Sequence, residues 1–287
     1  MQLCNLKTDN GNFIGIKKDG AIRILDTEND ELKGAGTVDQ LLKLNIELND
    51  LTGMLQDNLL PLKVEEENAK FGPVVNFPGK IVCIGLNYKS HASEVKDKQL
   101  EIPILFSKFS DTVLGHNGSI KVDEYAKNVD YEAELGILIG KHAYRIDKKD
   151  ALNYAFGYFP ANDVSARDLQ FKTSQWLIGK TLPGYAPIGP YVTTRDEIEN
   201  PNSLDISLTL NGELRQNSNT SNMTFQCDYL IWYISNYIPL EPGDIILTGT
   251  PEGIINGMPP EKRVWLKHGD ITEVRIEKLG ILRTNFV

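Results

Sequence analysis

The 287-residue sequence predicts a strand-dominated α+β fold in two unequal parts, a small amino-terminal α+β unit over residues 1–72 and a larger one over 76–287. Three observations carry this. Short runs rich in Ile, Val and Leu recur at irregular spacing, each bounded by Gly, Pro, Asn or Asp, which is the pattern of strands and turns. Helical periodicity is confined to a few short segments, which argues against a regular alternation of strands and helices. Gly72-Pro73 and Pro78-Gly79 then punctuate the chain where the two parts meet.

In order along the chain, Ile14 and Ile16, an Asp19-Gly20 turn, and Ile22 and Ile24 predict a hairpin. A helix is expected over 38–44. Glu65, Glu66 and Glu67 form a charged run that reads as a solvated face. Beyond the boundary, strands are expected over 81–84, 135–139, 204–210, 244–247 and 274–276, with helices over 148–153 and 227–236 and a polar loop over 216–222. No internal repeat is visible.

Composition limits the function classes. With 39 acidic and 30 basic residues, a net charge of -9 and 41% apolar residues, this is the make-up of an ordinary globular protein without the basic surface nucleic acid requires. No apolar run approaches the length of a membrane span, and the first residues carry no signal-peptide pattern, so no membrane association is expected and a cytoplasmic location is. Cys4, Cys83 and Cys227 match neither a redox pair nor a zinc spacing and are expected to be buried thiols.

Three segments are candidates for chemistry. In the run from Val129 to Leu135, strand alternation sends Glu132 and Glu134 to one face, and the apolar residues that follow suggest entry into a core, where paired carboxylates need a cation. The alternative is a solvated acidic face. In the run from Ala161 to Gln170, a helix starting at Val164 would be capped by Asp163, with Arg167 and Gln170 along one side. Ordinary helix capping would give the same pattern. After the 81–84 strand, His91 and Glu94 are one helical turn apart, the spacing of a general base and its orienting partner, although a surface histidine at a helix start fits as well. His116, His142 and His268 adjoin turns and read as structural. The glycines of 249–253 match no nucleotide-binding fingerprint.

Taken in order, these segments resemble the fumarylacetoacetate hydrolase family. The resemblance rests on Gly85-Leu86-Asn87-Tyr88 with His91 and Glu94, on the run from Asp130 to Leu135, and on the run from Asn162 to Asp168. Gln175-Trp176, Gly179-Lys180, Gly189-Pro190, Asn211-Gly212-Glu213, Pro242-Gly243-Asp244 and the run from Thr248 to Gly253 extend it. It covers about residues 76–287, and the leading residues resemble the small domain many bacterial members carry. It implies a mixed β-roll catalytic domain and a homodimer.

Carried over residue by residue, the resemblance makes Glu132, Glu134 and Asp163 the ligands of one divalent cation, and their hard oxygens suit Mg²⁺ or Mn²⁺, with Ca²⁺ as a further candidate. It makes His91 and Glu94 the acid–base dyad and places Lys180, Arg167, Gln170 and Thr250 against the substrate. The expected reaction is hydrolysis of a C–C bond in acylpyruvate-type 2,4-dioxo acids through a metal-bound enolate. The alternatives are oxaloacetate decarboxylation and 2-hydroxyhepta-2,4-diene-1,7-dioate isomerisation on the same site. One departure bears on substrate: many members resemble G-K-S-F-D, whereas this chain reads Gly179-Lys180-Thr181-Leu182-Pro183, with Pro183 where Asp is usual.

Overall fold

In the computed structural model the described residues are 1–8, 11–18, 20–27, 32–44, 46, 48–89, 100–122 and 125–287. Among them, ten strands form one sheet in the order Leu59–Val64, Ala21–Leu25, Gly11–Lys18, Gln2–Thr8, Val192–Thr194, Ala155–Asn162, Ala133–Ile139, Ile245–Leu247, Ile81–Gly85 and Ile104–Lys108. A second sheet of five strands runs Glu213–Asn219, Asp205–Leu210, Ile271–Ile276, Gly280–Phe286 and Gly118–Ile120. Both are mixed, mostly antiparallel, with parallel pairs at Ile245–Leu247 against Ile81–Gly85 and at Gly280–Phe286 against Gly118–Ile120. The α+β, strand-dominated class read from the sequence is the class observed.

The alternation of side chains explains the layers. Leu135 and Ile137 of the large sheet and Leu208, Val274 and Leu282 of the small one share one apolar cluster, closed by Leu230, Ile231 and Ile234 of helix Cys227–Ser235. Leu138, Phe159 and Leu247 project to the other side and pack with Leu3, Ile14, Leu41 and Leu55 of the leading segment. The leading strands continue the large sheet itself, because Leu3 pairs with Val192. The stretches on either side of 72–80 therefore share a sheet and an apolar cluster.

Local expectations fared unevenly. The hairpin pairs Gly15 with Ile24, and helix Val38–Lys43 is capped by Thr37, whose hydroxyl accepts from the Gln40 N–H. The segment expected as a helix at 148–153 is a 3-10 turn over Lys148–Tyr154. All three cysteines are buried and free. No helix among the described residues is long and apolar enough to cross a membrane.

Candidate active site

The site forms where two neighbouring strands of the large sheet begin and end. Strand Ala133–Ile139 runs antiparallel to Ala155–Asn162, with Ala133 opposite Asn162 and Glu134 opposite Ala161. That register sets the entry of one strand beside the exit of the other, and the Asp163 N–H donates to the Glu132 carbonyl at 2.9 Å. Glu132, Glu134 and Asp163 are all buried, and each offers a carboxylate oxygen within 4.8 Å of the others. Strand alternation alone would have left Asp163 unplaced; the antiparallel pairing supplies it.

Asp163 does not cap a helix from Val164. The backbone of Ser165–Ala166 instead pairs with Val129–Asp130, so the helix starts later, at Arg167, and spans Arg167–Gln170. The Asp163 carboxylate is thereby released from capping, and two ammonium groups take it. Lys108 Nζ donates to Oδ1 at 2.5 Å, and Lys180 Nζ donates to Oδ2 at 2.8 Å. Lys180, from the short helix Leu177–Lys180, also reaches Glu132 Oε2 at 2.7 Å. Arg167 donates to Glu132, to Asp130 and, through Nη1, to Gln170 Oε1. Glu134 accepts the Gly249 N–H at 2.8 Å. Gly249 holds a left-handed φ of +93°, and a Cβ there would come within 2.8 Å of the Asn87 side chain, so the close approach requires glycine.

The electrostatics follow from burial. Asp130, Glu132, Glu134 and Asp163 are buried with Lys108, Arg167 and Lys180, so the carboxylates outnumber the cations by one. Burial pushes the Glu134 carboxyl well above the usual carboxylate range, and the Asp163 and Glu132 charges push it further. Burial works against the Lys180 ammonium, but Asp163 and Glu132 outweigh it and raise its pKa. The Lys108 ammonium is lowered, by burial first and by Lys180 in addition, despite Asp163.

Sequence reasoning assigned no role to four residues that shape this site. Lys108 ends the Ile104–Lys108 strand, and nothing in the sequence marks it. Asp130 lies two residues before Glu132 and so shared the alternation already noted; it accepts the N–H groups of Tyr131, Ile255 and Asn256 and fixes Arg167. Asn87 donates to the Thr248 and Phe225 carbonyls and accepts the Phe225 N–H, tying the Gly85-Leu86-Asn87-Tyr88 turn to the 248–253 turn. Gln216 holds Thr250 through an Nε2 donor at 2.9 Å to its hydroxyl. His91 and Glu94 lie outside the described residues.

A cavity of ≈ 310 Å³ opens onto this cluster, lined by the polar residues Glu132, Glu134, Arg167, Gln170, Lys180 and Thr250 together with apolar ones that include Phe106 and Trp176. Three buried carboxylates within 4.8 Å of one another form a donor set of hard oxygens that fits a divalent cation. Comparison with known proteins agrees on the lineage. The model of the fumarylacetoacetate hydrolase C-terminal domain matches residues 80–287.

The chain belongs to the fumarylacetoacetate hydrolase family.

Within that family it is 43% identical over 239 residues to a fumarylacetoacetate hydrolase domain-containing protein 2 homolog of Dictyostelium discoideum, covering 80% of this chain and 78% of that one. It is 42% identical over 224 residues to a mitochondrial oxaloacetate tautomerase of Rattus norvegicus, covering 78% and 71% of the two chains. Among solved structures, a fumarylacetoacetate hydrolase from Exiguobacterium antarcticum superposes with a TM-score of 0.86 at 28% identity, over 100% of this chain and 99% of that one. The family's mixed-sheet architecture is thus the one observed here.

Proposed function

We propose that this family member is a divalent-cation-dependent tautomerase of short 2-oxo acids, with oxaloacetate as the reference substrate. The observation that carries the reading is the convergence of Glu132, Glu134 and Asp163 within 4.8 Å at a cavity lined by Glu132 and Glu134, with the Lys180 ammonium bridging Glu132 and Asp163. Similarity to the rat oxaloacetate tautomerase favours tautomerisation over the other reactions of such a site.

Glu132, Glu134 and Asp163 would hold Mg²⁺ or Mn²⁺, with Ca²⁺ as a third candidate. Bound there, the cation would polarise the carboxylate and 2-oxo oxygens of the substrate and so acidify its C3 hydrogens. The chain's own groups divide the remaining work. Lys180, kept protonated by its acidic neighbours, donates a hydrogen bond to the oxygen that gains charge as C3 loses its proton. Arg167 is clamped by Asp130 and so holds the Glu132 carboxylate in place. Thr250, positioned by Gln216, presents its hydroxyl to the bound acid. His91, oriented by Glu94, would take the C3 proton, and a proton returned to the 2-oxo oxygen completes the enol without breaking any carbon–carbon bond.

Hydrolysis of acylpyruvates, the reaction first expected from the sequence, would use the same carboxylates but adds an attacking water. Decarboxylation and dienedioate isomerisation would need no such water. The experiment is a parallel assay with Mg²⁺ and Mn²⁺ of enol-oxaloacetate ketonisation by ultraviolet absorbance, of pyruvate release from oxaloacetate, and of acetylpyruvate cleavage. Accelerated ketonisation with little of the other two supports the reading. Acetylpyruvate cleavage without accelerated ketonisation would sink it in favour of the hydrolase.

A further inference from the structure

Two ammonium groups hold the Asp163 carboxylate, one on each oxygen. Lys180, which lines the cavity, donates to Oδ2 at 2.8 Å and to Glu132 Oε2 at 2.7 Å. Lys108, with a side chain 0% exposed, donates to Oδ1 at 2.5 Å and to the Val164 carbonyl at 3.0 Å. The Asp163 backbone is fixed independently: its N–H donates to the Glu132 carbonyl, and its own carbonyl accepts the Ser165 hydroxyl at 2.9 Å. Those bonds set where the side chain starts, and its torsions then set which oxygen is turned toward Glu132. Lys108 takes Oδ1 and so leaves Oδ2, the oxygen that Lys180 links to Glu132.

Lys108 reaches Asp163 from a distant strand. Ile104–Lys108 is the edge strand of the large sheet, and three strands separate it from Ala155–Asn162, the strand that Asp163 follows. Lys108 pairs with Ile81 in the sheet, so its ammonium is delivered from a backbone held in a ladder. Strand alternation puts Phe106 on the same face as Lys108, and the Phe106 ring lies 4.9 Å from Lys180 Nζ. One face of the edge strand therefore meets both members of the Lys180–Asp163 pair.

We propose that Lys108 is a positioning residue of the cation site, acting through Asp163: by holding Oδ1 it fixes the carboxylate so that Oδ2 is the oxygen offered with Glu132 and Glu134. This rests on the divalent-cation reading above and adds to it a residue outside the carboxylate set. Charge and position act in opposite directions here, which makes the role testable. As a positive charge beside a cation's ligand, Lys108 repels the cation, so its removal alone would tighten binding. As the group that orients Asp163, its removal frees the carboxylate to turn and weakens binding.

The test is calorimetric titration of the full-length protein with Mg²⁺ alone, in the parent and in two variants that lose the same charge. Lys108→Met removes the donor and is expected to weaken Mg²⁺ binding at least about tenfold. Lys108→Gln keeps an amide donor for Oδ1 and is expected to recover to within about threefold of the parent. Parental or tighter binding in Lys108→Met overturns the proposal and leaves Lys108 a counter-charge only. Equal weakening in both variants overturns it too, because the retained donor then does nothing. Should Lys108→Met fail to fold, Lys108→Arg carries the test: it keeps the charge and displaces the donor, so binding at least about threefold weaker is expected and parental affinity overturns the proposal. In each of these outcomes the parent still binds Mg²⁺ and the cation reading stands. No binding by the parent overturns that reading and this proposal together.

Discussion

Lys180 and Asp163 form a salt bridge of 2.8 Å with side-chain exposures of 2% and 0%. A buried pair of this kind is held by mutual neutralisation, and removing one partner strands the other. Lys180→Met is therefore expected to destabilise the cation-free protein by about 3 kcal/mol, with saturating Mg²⁺ restoring part of the loss by supplying charge to the same carboxylates. Urea unfolding with EDTA and with Mg²⁺ measures both. An unchanged midpoint in EDTA would show that the pair contributes nothing.

Glu132 accepts from Arg167 through one oxygen and from Lys180 through the other. Glu132→Gln keeps the shape and removes the charge, and it is expected to weaken Mg²⁺ binding by about a hundredfold and abolish cation-dependent turnover. Calorimetry with Mg²⁺ alone reads the first effect. Retained Mg²⁺ affinity would mean that these carboxylates are only a buried polar network.

Asp130 accepts three backbone N–H groups and the Arg167 guanidinium, so it links the arginine to the 3-10 turn Ile255–Gly257. Asp130→Asn removes the charge and turns one acceptor into a donor facing those groups. We expect a loss of about 2–4 kcal/mol in stability and at least about tenfold in kcat. Thermal unfolding and steady-state kinetics decide it, and a variant as stable and active as the parent would refute the linkage.

His116 accepts the Arg283 N–H at 3.2 Å through Nδ1. Burial lowers its pKa from the ordinary 6.5, and Arg283 lowers it further. The unfolded chain therefore takes up the proton first as pH falls. The stability His116 contributes is complete above the ordinary histidine value and is lost as pH drops from there toward the lower folded value. Tm measured from about pH 7 to about pH 5 should fall less steeply in His116→Gln than in the parent. Identical slopes would exclude the residue.

His91→Ala separates the reactions. If His91 moves the C3 proton, ketonisation of enol-oxaloacetate should fall by about a hundredfold or more. Should acetylpyruvate cleavage collapse while ketonisation persists, the imidazole would be activating water and not moving the substrate proton.

The sequence was legible where chemistry is local. Glu132 and Glu134, two residues apart, bring their carboxylates together, the helix expected over 38–44 forms at Val38–Lys43, and strands Gly11–Lys18 and Ala21–Leu25 pair as the expected hairpin, because each depends on neighbours a few residues away. Lys108 was invisible for the opposite reason. Its partner Asp163 is 55 residues on, and nothing in a strand of Ile, Leu, Phe and Ser announces a buried ion pair. Trp176 was noticed, but its contact with Phe106 follows from how the short helix beside it packs on the edge strand Ile104–Lys108.

By itself the sequence determined the strand-dominated class, the acidic pair and the family, since these reside in residue order and short-range periodicity. Only the tertiary structure decided that Asp163 lies outside the helix that follows it, that Lys108 and Asp130 belong to the cluster, and that three buried cations serve four buried carboxylates there. Strand register and burial made those decisions. They couple residues far apart in the chain, and they fix which charges have partners when water is removed.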